Sequence, residues 1–369
     1  MKTLILSCNT GGGHNSSANG VREYFESKNE SVEVVDALSF VSVKFSNFIS
    51  KAHSFLYKYT PNLNSALHTL AQKTEKKFTD NFLGYKMLSK GVNSLARKVI
   101  DGEFDTVICV HIFSVYMLTK AIKKHNLKVK TAFINTDYSF TPGLQRSNFD
   151  AYFIPHPLLI GEFVSGGVNE DKIIACGIPV KQSFTRVENK NYAKSVYNIN
   201  CDLKHVVISA GSIGCGPIKK VAVKLSKSDM QVFITVVCGN NVKLKKSLQK
   251  VAKKCKNLRV RGYVNDMPLL LSSADVYVTK AGGLSVTEAL IKQVPMVIVN
   301  TVNGCEKGNV NFFVKGGMAS VTKTANGAYS KCVEYLTNAV SYNDKLRCLE
   351  TCKIGNASET IYNFFKKVI

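Results

Sequence analysis

The stretch that decides the fold runs from Gly262 to Asn309: GYVNDMPLLLSSADVYVTKAGGLSVTEALIKQVPMVIVNTVNGCEKGN. Its spacing predicts helix, strand, helix, strand, with the polar chemistry on the connections. Val276-Tyr277-Val278 reads as a short apolar strand and Lys280-Ala281-Gly282-Gly283 as a glycine-rich turn. Leu284 to Lys292 reads as a helix, and Met296 to Asn300 as the next strand. A Gly-Gly turn between strand and helix offers free backbone N–H groups to a phosphate. Ser285 and Glu288 follow on that helix, where a carboxylate reaches a hydroxylated group held at the helix mouth. A second polar loop, Asn303 to Asn309, opens after the next strand. Both loops therefore fall at strand C-termini, the edge at which open parallel sheets bind ligands. For a Gly-Gly turn taken alone, an ordinary α/β connection is the simpler account.

The same layout recurs on either side. Thr3 to Ser7 is a buried-type strand, followed by a loop with Gly11-Gly12-Gly13-His14, a helix from Val21 to Lys28, and a strand from Val32 to Asp36. The dinucleotide fingerprint G-x-G-x-x-G is absent. Three glycines let the backbone pass close to a bound group, and His14 projects where the helix starts; read alone, it is an ordinary polar residue there. Strands at Thr106 to Val110 and Val129 to Ile134 end at His111 and at Asn135-Thr136-Asp137, and Ala151 to Ile154 is a further strand. His205 to Ser209 then leads into a glycine loop holding Gly211, Ser212 and Gly214, with a helix from Ile218. The strand Val232 to Val237 leads to Cys238-Gly239-Asn240-Asn241. Two Rossmann-like domains in tandem follow from this repetition. Their expected bounds are 1–180 and 181–345, with a helix in 346–369 crossing back to the first.

Length and composition agree with that division. A chain of 369 residues is long for one core, and 45% hydrophobic with 20% charged residues is ordinary for a globular protein. The charge is unusual: 49 Lys and Arg against 26 Asp and Glu leave +23, a field that attracts a polyanion or an anionic membrane surface. Eleven scattered cysteines without a C-x-x-C point to reduced thiols in a cytosolic setting. Met1-Lys2 runs directly into a strand, so no signal peptide is expected, and no apolar run approaches the roughly 18 residues of a membrane span.

Residues 41–100 change character, interleaving aromatics with lysines as in Phe55, Tyr57, Lys58 and Tyr59. The window holds ten Lys or Arg against two acids, Glu75 and Asp80. Rings beside cations suit a lipid headgroup interface; equally, two amphipathic helices could pack their aromatics on the domain core. No helix-turn-helix, zinc-finger or RNA-binding signature accompanies the charge, so nucleic acid is not expected as a partner.

Taken in order, the motifs are Gly262-Tyr263-Val264 with Met267, Ala274-Asp275 through Leu290, and Gly304-Cys305-Glu306 with Asn309. With them the chain resembles the monogalactosyldiacylglycerol synthases and processive diacylglycerol glucosyltransferases. It is more distantly similar to the N-acetylglucosaminyltransferase that makes lipid II. Gly11-Gly12-Gly13-His14 with Ala18, Thr136-Asp137, Gly177-Ile178-Pro179-Val180 and Cys238-Gly239 with Asn241 match further family motifs. The resemblance implies an α/β fold of the GT-B type, two Rossmann-like domains facing across a cleft. It implies a UDP-sugar in the second domain, UDP-glucose or UDP-galactose, and diacylglycerol as acceptor in the first. His14 is then the general base, with Asp137 beside it, and inversion occurs at the anomeric carbon. Gly282 and Gly283 lie at the diphosphate, Gly211, Ser212 and Gly214 belong to a phosphate-binding loop, Glu288 lies at the ribose, and Gly13 and Lys280 belong to the donor site. Tyr263 and Val264 face the uracil, while Glu306 and Asn309 face the sugar; Asn241 and Ser285 also belong to the donor site. Cys305 stands where the family usually has Gln, and Tyr138 to Gly143 replace a His and Trp usual after the Asp. No Asp-x-Asp is found near a strand end, so no metal and no cofactor are expected. The expected place is the cytoplasm, peripheral on the inner face of the cell membrane. A lipid-II-type transferase and a non-catalytic UDP-sugar-binding protein are the alternatives.

Overall fold

The computed structural model describes residues 1–10, 12–59, 83–209, 211, 217–299 and 306–368, without the side chains of 53, 54, 56–59 and 83. Ser212, Gly214, Gly304 and Cys305 lie outside the described residues, as do the side chains of Tyr57, Lys58 and Tyr59. Contacts divide the chain into two units, Met1–Gln182 with Ile354–Ile369, and Ser183–Lys353.

The first unit is a six-stranded parallel sheet. Its strands are β1 (Lys2–Ser7), β2 (Ser31–Asp36), β3 (Thr106–Cys109), β4 (Lys130–Ile134), β5 (Ala151–Ile154) and β6 (Ile173–Ala175), in the order β2-β1-β3-β4-β5-β6. Its helices are α1 (Gly12–Glu26), α2 (Val43–Tyr59), α3 (Leu83–Ser89), α4 (Val92–Asp101), α5 (Ile112–His125) and α6 (Ile160–Ser165). The strands are apolar runs, because a parallel sheet is covered on both faces. Helix α1 begins at Gly12, so Gly12 and Gly13 open its first turn and His14 lies within it.

The second unit repeats the plan. After α7 (Lys190–Val196) come β7 (Lys204–Ser209), α8 (Ile218–Ser226), β8 (Val232–Val237), α9 (Val242–Ala252), β9 (Leu258–Arg261) and α10 (Met267–Ser272). Then follow β10 (Val276–Thr279), α11 (Gly283–Ile291), β11 (Met296–Val299), α12 (Lys307–Lys315), β12 (Ala319–Thr322), α13 (Ala325–Thr337) and α14 (Ala339–Thr351). The parallel order is β12-β11-β10-β7-β8-β9. The polar loop expected to run to Asn309 ends sooner, since Lys307 opens a helix.

In each sheet the direction of winding reverses once. It reverses between β1 and β3 in the first unit and between β7 and β10 in the second. Right-handed crossovers then carry the flanking helices apart, and a crevice is left at the strand C-termini. The last helix, α15 (Ala357–Val368), packs Ala357, Ile361 and Phe365 into the first unit's core beside Ala18, Val21 and Phe25 of α1. The i, i+4, i+8 spacing makes that one face of the helix. Lys366 Nζ and the Tyr362 hydroxyl reach Glu30 Oε1 at 3.2 and 3.3 Å.

The second unit is tied at its base by a buried polar cluster. The Asp275 carboxylate accepts from Lys190 Nζ at 3.0 Å and from the His205 amide at 2.8 Å, and Lys194 Nζ lies 3.4 Å away. The His205 ring is fully buried, with Nε2 2.9 Å from Thr235 Oγ1 and Nδ1 3.0 Å from Ser273 Oγ. Burial pushes its pKa down to about 4 from 6.5. As pH falls the unfolded chain therefore takes up this proton first. The stabilisation is complete above pH 6.5 and is lost down to about pH 4, a change of roughly 3 kcal/mol. Urea unfolding of wild type and His205→Gln across that window should show the wild type losing stability more steeply. Parallel pH profiles would refute the assignment.

Candidate functional site

The switch point of the first unit is where β1 and β3 diverge. The chain leaving β1 enters α1, and the chain leaving β3 passes through Val110 and His111 into α5. His14, half-buried on the first turn of α1, places Nδ1 2.8 Å from the Val110 carbonyl oxygen. A carbonyl only accepts, so Nδ1 carries the proton and Nε2 holds the lone pair in the neutral ring. The Thr136 hydroxyl, just past β4, lies 3.0 Å from the same Nδ1. The ring meets His111 edge to face, centroids 4.7 Å apart. His111 caps α5, its Nδ1 accepting from the Phe113 amide at 3.1 Å, so this ring is the other tautomer, protonated on Nε2.

Around His14 runs a side-chain network that the sequence did not announce. Ser7 Oγ donates to Asn15 Oδ1, Asn15 Nδ2 to Asn9 Oδ1 at 2.7 Å, and Asn9 Nδ2 to Asp36 Oδ2 at 2.9 Å. The Ser46 hydroxyl of α2 donates to the same Asp36 oxygen, and the Leu38 amide to Oδ1 at 3.1 Å. Asp36 at the end of β2 thus fastens the loop before His14 to the start of α2. Past β4, the wholly buried Asn135 donates to the backbone oxygens of Asp137 and Ser139 and accepts from Thr141 Oγ1, which fixes the turn carrying the half-buried Asp137.

The second unit's crevice joins the turns after β7 and β10. Gly211 has φ +69°, the left-handed region that favours glycine, and a Cβ built there would stand 3.1 Å from Lys280 Cε. A Cβ on Gly282 would meet Lys280 Cε at 3.3 Å and Nζ at 3.4 Å. The Lys280 stem is therefore laid across both turns. Its Nζ forms an ion pair with the buried Glu306 Oε1 at 2.7 Å. Gly282 caps α11 with no side chain of its own, and Gly283 is its first residue. The first-turn amides have no intrahelical acceptor, which leaves positive dipole density at this end. Beneath the turn Tyr277 is fully buried, its hydroxyl engaged by Thr279, Ser209 and Ser285. Burial first, then the charge of Glu288, pushes its pKa up to about 12.

Residues 14–180 match the family described as monogalactosyldiacylglycerol (MGDG) synthase, and residues 205–363 match the glycosyltransferase family 28 C-terminal domain. The chain belongs to this glycosyltransferase family. It is similar to the processive diacylglycerol beta-glucosyltransferase of Staphylococcus saprophyticus, 25% identical over 92% of this chain and 85% of that one. With monogalactosyldiacylglycerol synthase 2, chloroplastic, of Arabidopsis thaliana it shares 25% identity over 87% of this chain and 70% of that one. Among solved structures, MurG of Acinetobacter baumannii superposes with a TM-score of 0.63 at 14% identity, covering 100% of both chains. The fold is GT-B.

In this family member the sequence-chosen residues fall in distinct settings. His14, Gly13 and Asp137 are at the first unit's crevice; Gly211, Lys280, Gly282, Gly283, Ser285, Glu288 and Glu306 are at the second's. Asn309 is wholly buried and donates to the Ala281 carbonyl at 2.8 Å, holding the Lys280–Gly283 turn in place. Asn241 caps α9, its Oδ1 accepting from the Leu244 amide at 2.9 Å. Tyr263 is exposed and Val264 half-buried on the loop after β9. Phe55 is exposed on α2. Sequence reading passed over Val110, Asp36 and the Lys280–Glu306 pair, which no spacing rule signals. The pair is testable by itself. A double-mutant cycle with Lys280→Gln and Glu306→Gln in urea unfolding should give a coupling of about 1–2 kcal/mol, discounted for partial exposure of the lysine. Additive losses would mean that the contact contributes nothing to folding.

Proposed function

We propose that the protein is an inverting hexosyltransferase moving glucose or galactose from a UDP-sugar to the hydroxyl of diacylglycerol at a membrane surface. The observation that carries the reading is the imidazole of His14 bound through Nδ1 to the Val110 carbonyl. This contact turns Nε2 into the basic nitrogen, and a neutral imidazole is a suitable base near neutral pH. Nε2 takes the proton of the acceptor hydroxyl as its oxygen attacks the anomeric carbon. The bond from that carbon to the diphosphate oxygen breaks, and UDP leaves from the opposite face. Thr136 and His111 confine the His14 ring by contact, and Asp137 stands on the neighbouring turn.

Negative charge on the leaving diphosphate is met in the second unit. The Gly282-Gly283 turn at the start of α11, the Gly211 turn and the Lys280 ammonium supply the positive density. With a lysine in that position, and no Asp-x-Asp in the sequence, the reading requires no metal and no other cofactor. Glu288 binds the ribose hydroxyls, the backbone at Tyr263 and Val264 the uracil, and Glu306 the sugar. Asn309 serves by shaping the turn.

For the membrane surface the support is α2. Lys44, Phe48, Lys51 and Phe55 are exposed at i, i+4, i+7 and i+11, one stripe of alternating cation and ring. No helix among the described residues is long and apolar enough to cross a membrane. The reading places the protein on the cytoplasmic face, held by surface contact with anionic lipid.

UDP release should occur with one of UDP-glucose or UDP-galactose, depend on diacylglycerol in the vesicles, and fall by about a thousandfold in His14→Ala and Glu288→Ala. Turnover that needs a polyprenyl-linked sugar in place of diacylglycerol would overturn the acceptor. Activity surviving in His14→Ala would overturn the base.

A further inference from the structure

More than half of the excess positive charge lies far in sequence from α2. From residue 217 to 265 there are eleven lysines and two arginines against one acid, Asp229. That is twelve of the net +23. The fold gathers most of the lysines on two helices and the turns that follow them. On α9 and the turn after it, Lys243, Lys246, Lys250, Lys253 and Lys254 are all exposed, at i, i+3, i+7, i+10 and i+11. Helical geometry puts them on one stripe, away from Leu244, Leu248 and Val251, which pack into the core. On α8 and its C-cap, Lys220, Lys224 and Lys227 are exposed at i, i+4 and i+7, while Val221, Ala222 and Leu225 are buried. The two helices share one apolar core and make successive crossovers in the same direction, β7 to β8 to β9. Right-handed connection therefore lays them side by side on one face of the sheet. None of these α9 lysines forms an ion pair among the described residues.

We propose that the α8–α9 lysine face of the second unit is a docking surface for anionic lipid. The partner follows from the chemistry of the face. Lysine is a hydrated point charge, suited to a diffuse negative surface, and neither helix carries an arginine for bidentate phosphate recognition. Neither carries an aromatic on which a base could stack, which disfavours nucleic acid. Each lysine near an anionic leaflet adds an increment of attraction, and several on one face act together. The face holds the donor-binding unit at the lipid surface by charge alone, without inserted rings. It deepens the lipid-acceptor reading above by naming a second contact with the same surface.

The test is co-sedimentation of the full chain with vesicles of phosphatidylglycerol or of phosphatidylcholine, without diacylglycerol and without donor. The catalytic reading can then fail without touching this result. The α9 variant K243Q/K246Q/K250Q/K253Q/K254Q should lose about tenfold or more in affinity for phosphatidylglycerol, and the same five positions as arginine should retain it. Wild-type binding should weaken as salt shortens the Debye length. The K220Q/K224Q/K227Q variant of α8 is a second, independent arm and should weaken binding in the same direction. Circular dichroism confirms that each variant is folded. Unchanged phosphatidylglycerol affinity in both glutamine variants would overturn the proposal. So would equal losses on phosphatidylcholine, or a wild type that binds RNA and neither vesicle.

Discussion

The constraint on which the rest depends is the reversal of winding in each parallel sheet. Successive right-handed crossovers keep helices packed over the strands, and where the order turns back, at β1/β3 and at β7/β10, adjacent helices start on opposite faces. Backbone at those strand ends is left without helix cover. Each unit then supplies polar groups to that opening. In the first, an imidazole is held against a carbonyl; in the second, an ammonium is laid across two glycine turns. One architectural rule thus places an imidazole in one opening and a lysine-crossed glycine turn in the other.

The support of these groups is mostly backbone and neutral side chains. Val110 fixes the His14 tautomer through a main-chain oxygen, which cannot titrate. Asn135 and Asn309 do the same work for the turns at Asp137 and at Lys280–Gly283, each buried and each bonded to a backbone oxygen. Buried amides of this kind hold a loop only when satisfied, and both are. Carboxylates contribute too: Asp36 fastens the loop before His14, and the nearly buried Glu306 balances the Lys280 ammonium.

Charge is distributed with similar economy. The interior carries few ionised groups, and those it has, such as Asp275 between Lys190 and Lys194, are paired and hydrogen-bonded. The excess cations lie outside, mixed with phenylalanine on α2 and alone on α8 and α9.

Much of this was legible from local pattern. The apolar strands, the Gly-Gly turn before α11 and the two-fold repetition of the layout follow from short-range periodicity, because strand and helix periods are set by neighbours along the chain. His14 and Glu288 stood out by their place at helix starts and by the motifs around them. What no local rule gives is who meets whom. Val110 lies 96 positions from His14 and Thr136 lies 122 away, and Glu306 reaches back 26 to Lys280. The same limit applies to α1 starting at Gly12: glycine is a poor helix former on its own, and the buried face of this helix begins only at Ser17 and Ala18. The sequence by itself determined the elements and the residue types capable of chemistry. The tertiary structure alone decided the tautomer of His14, the partner of Lys280 and the gathering of lysines onto one face, since each arises from strand order and crossover hand rather than from neighbours in the chain.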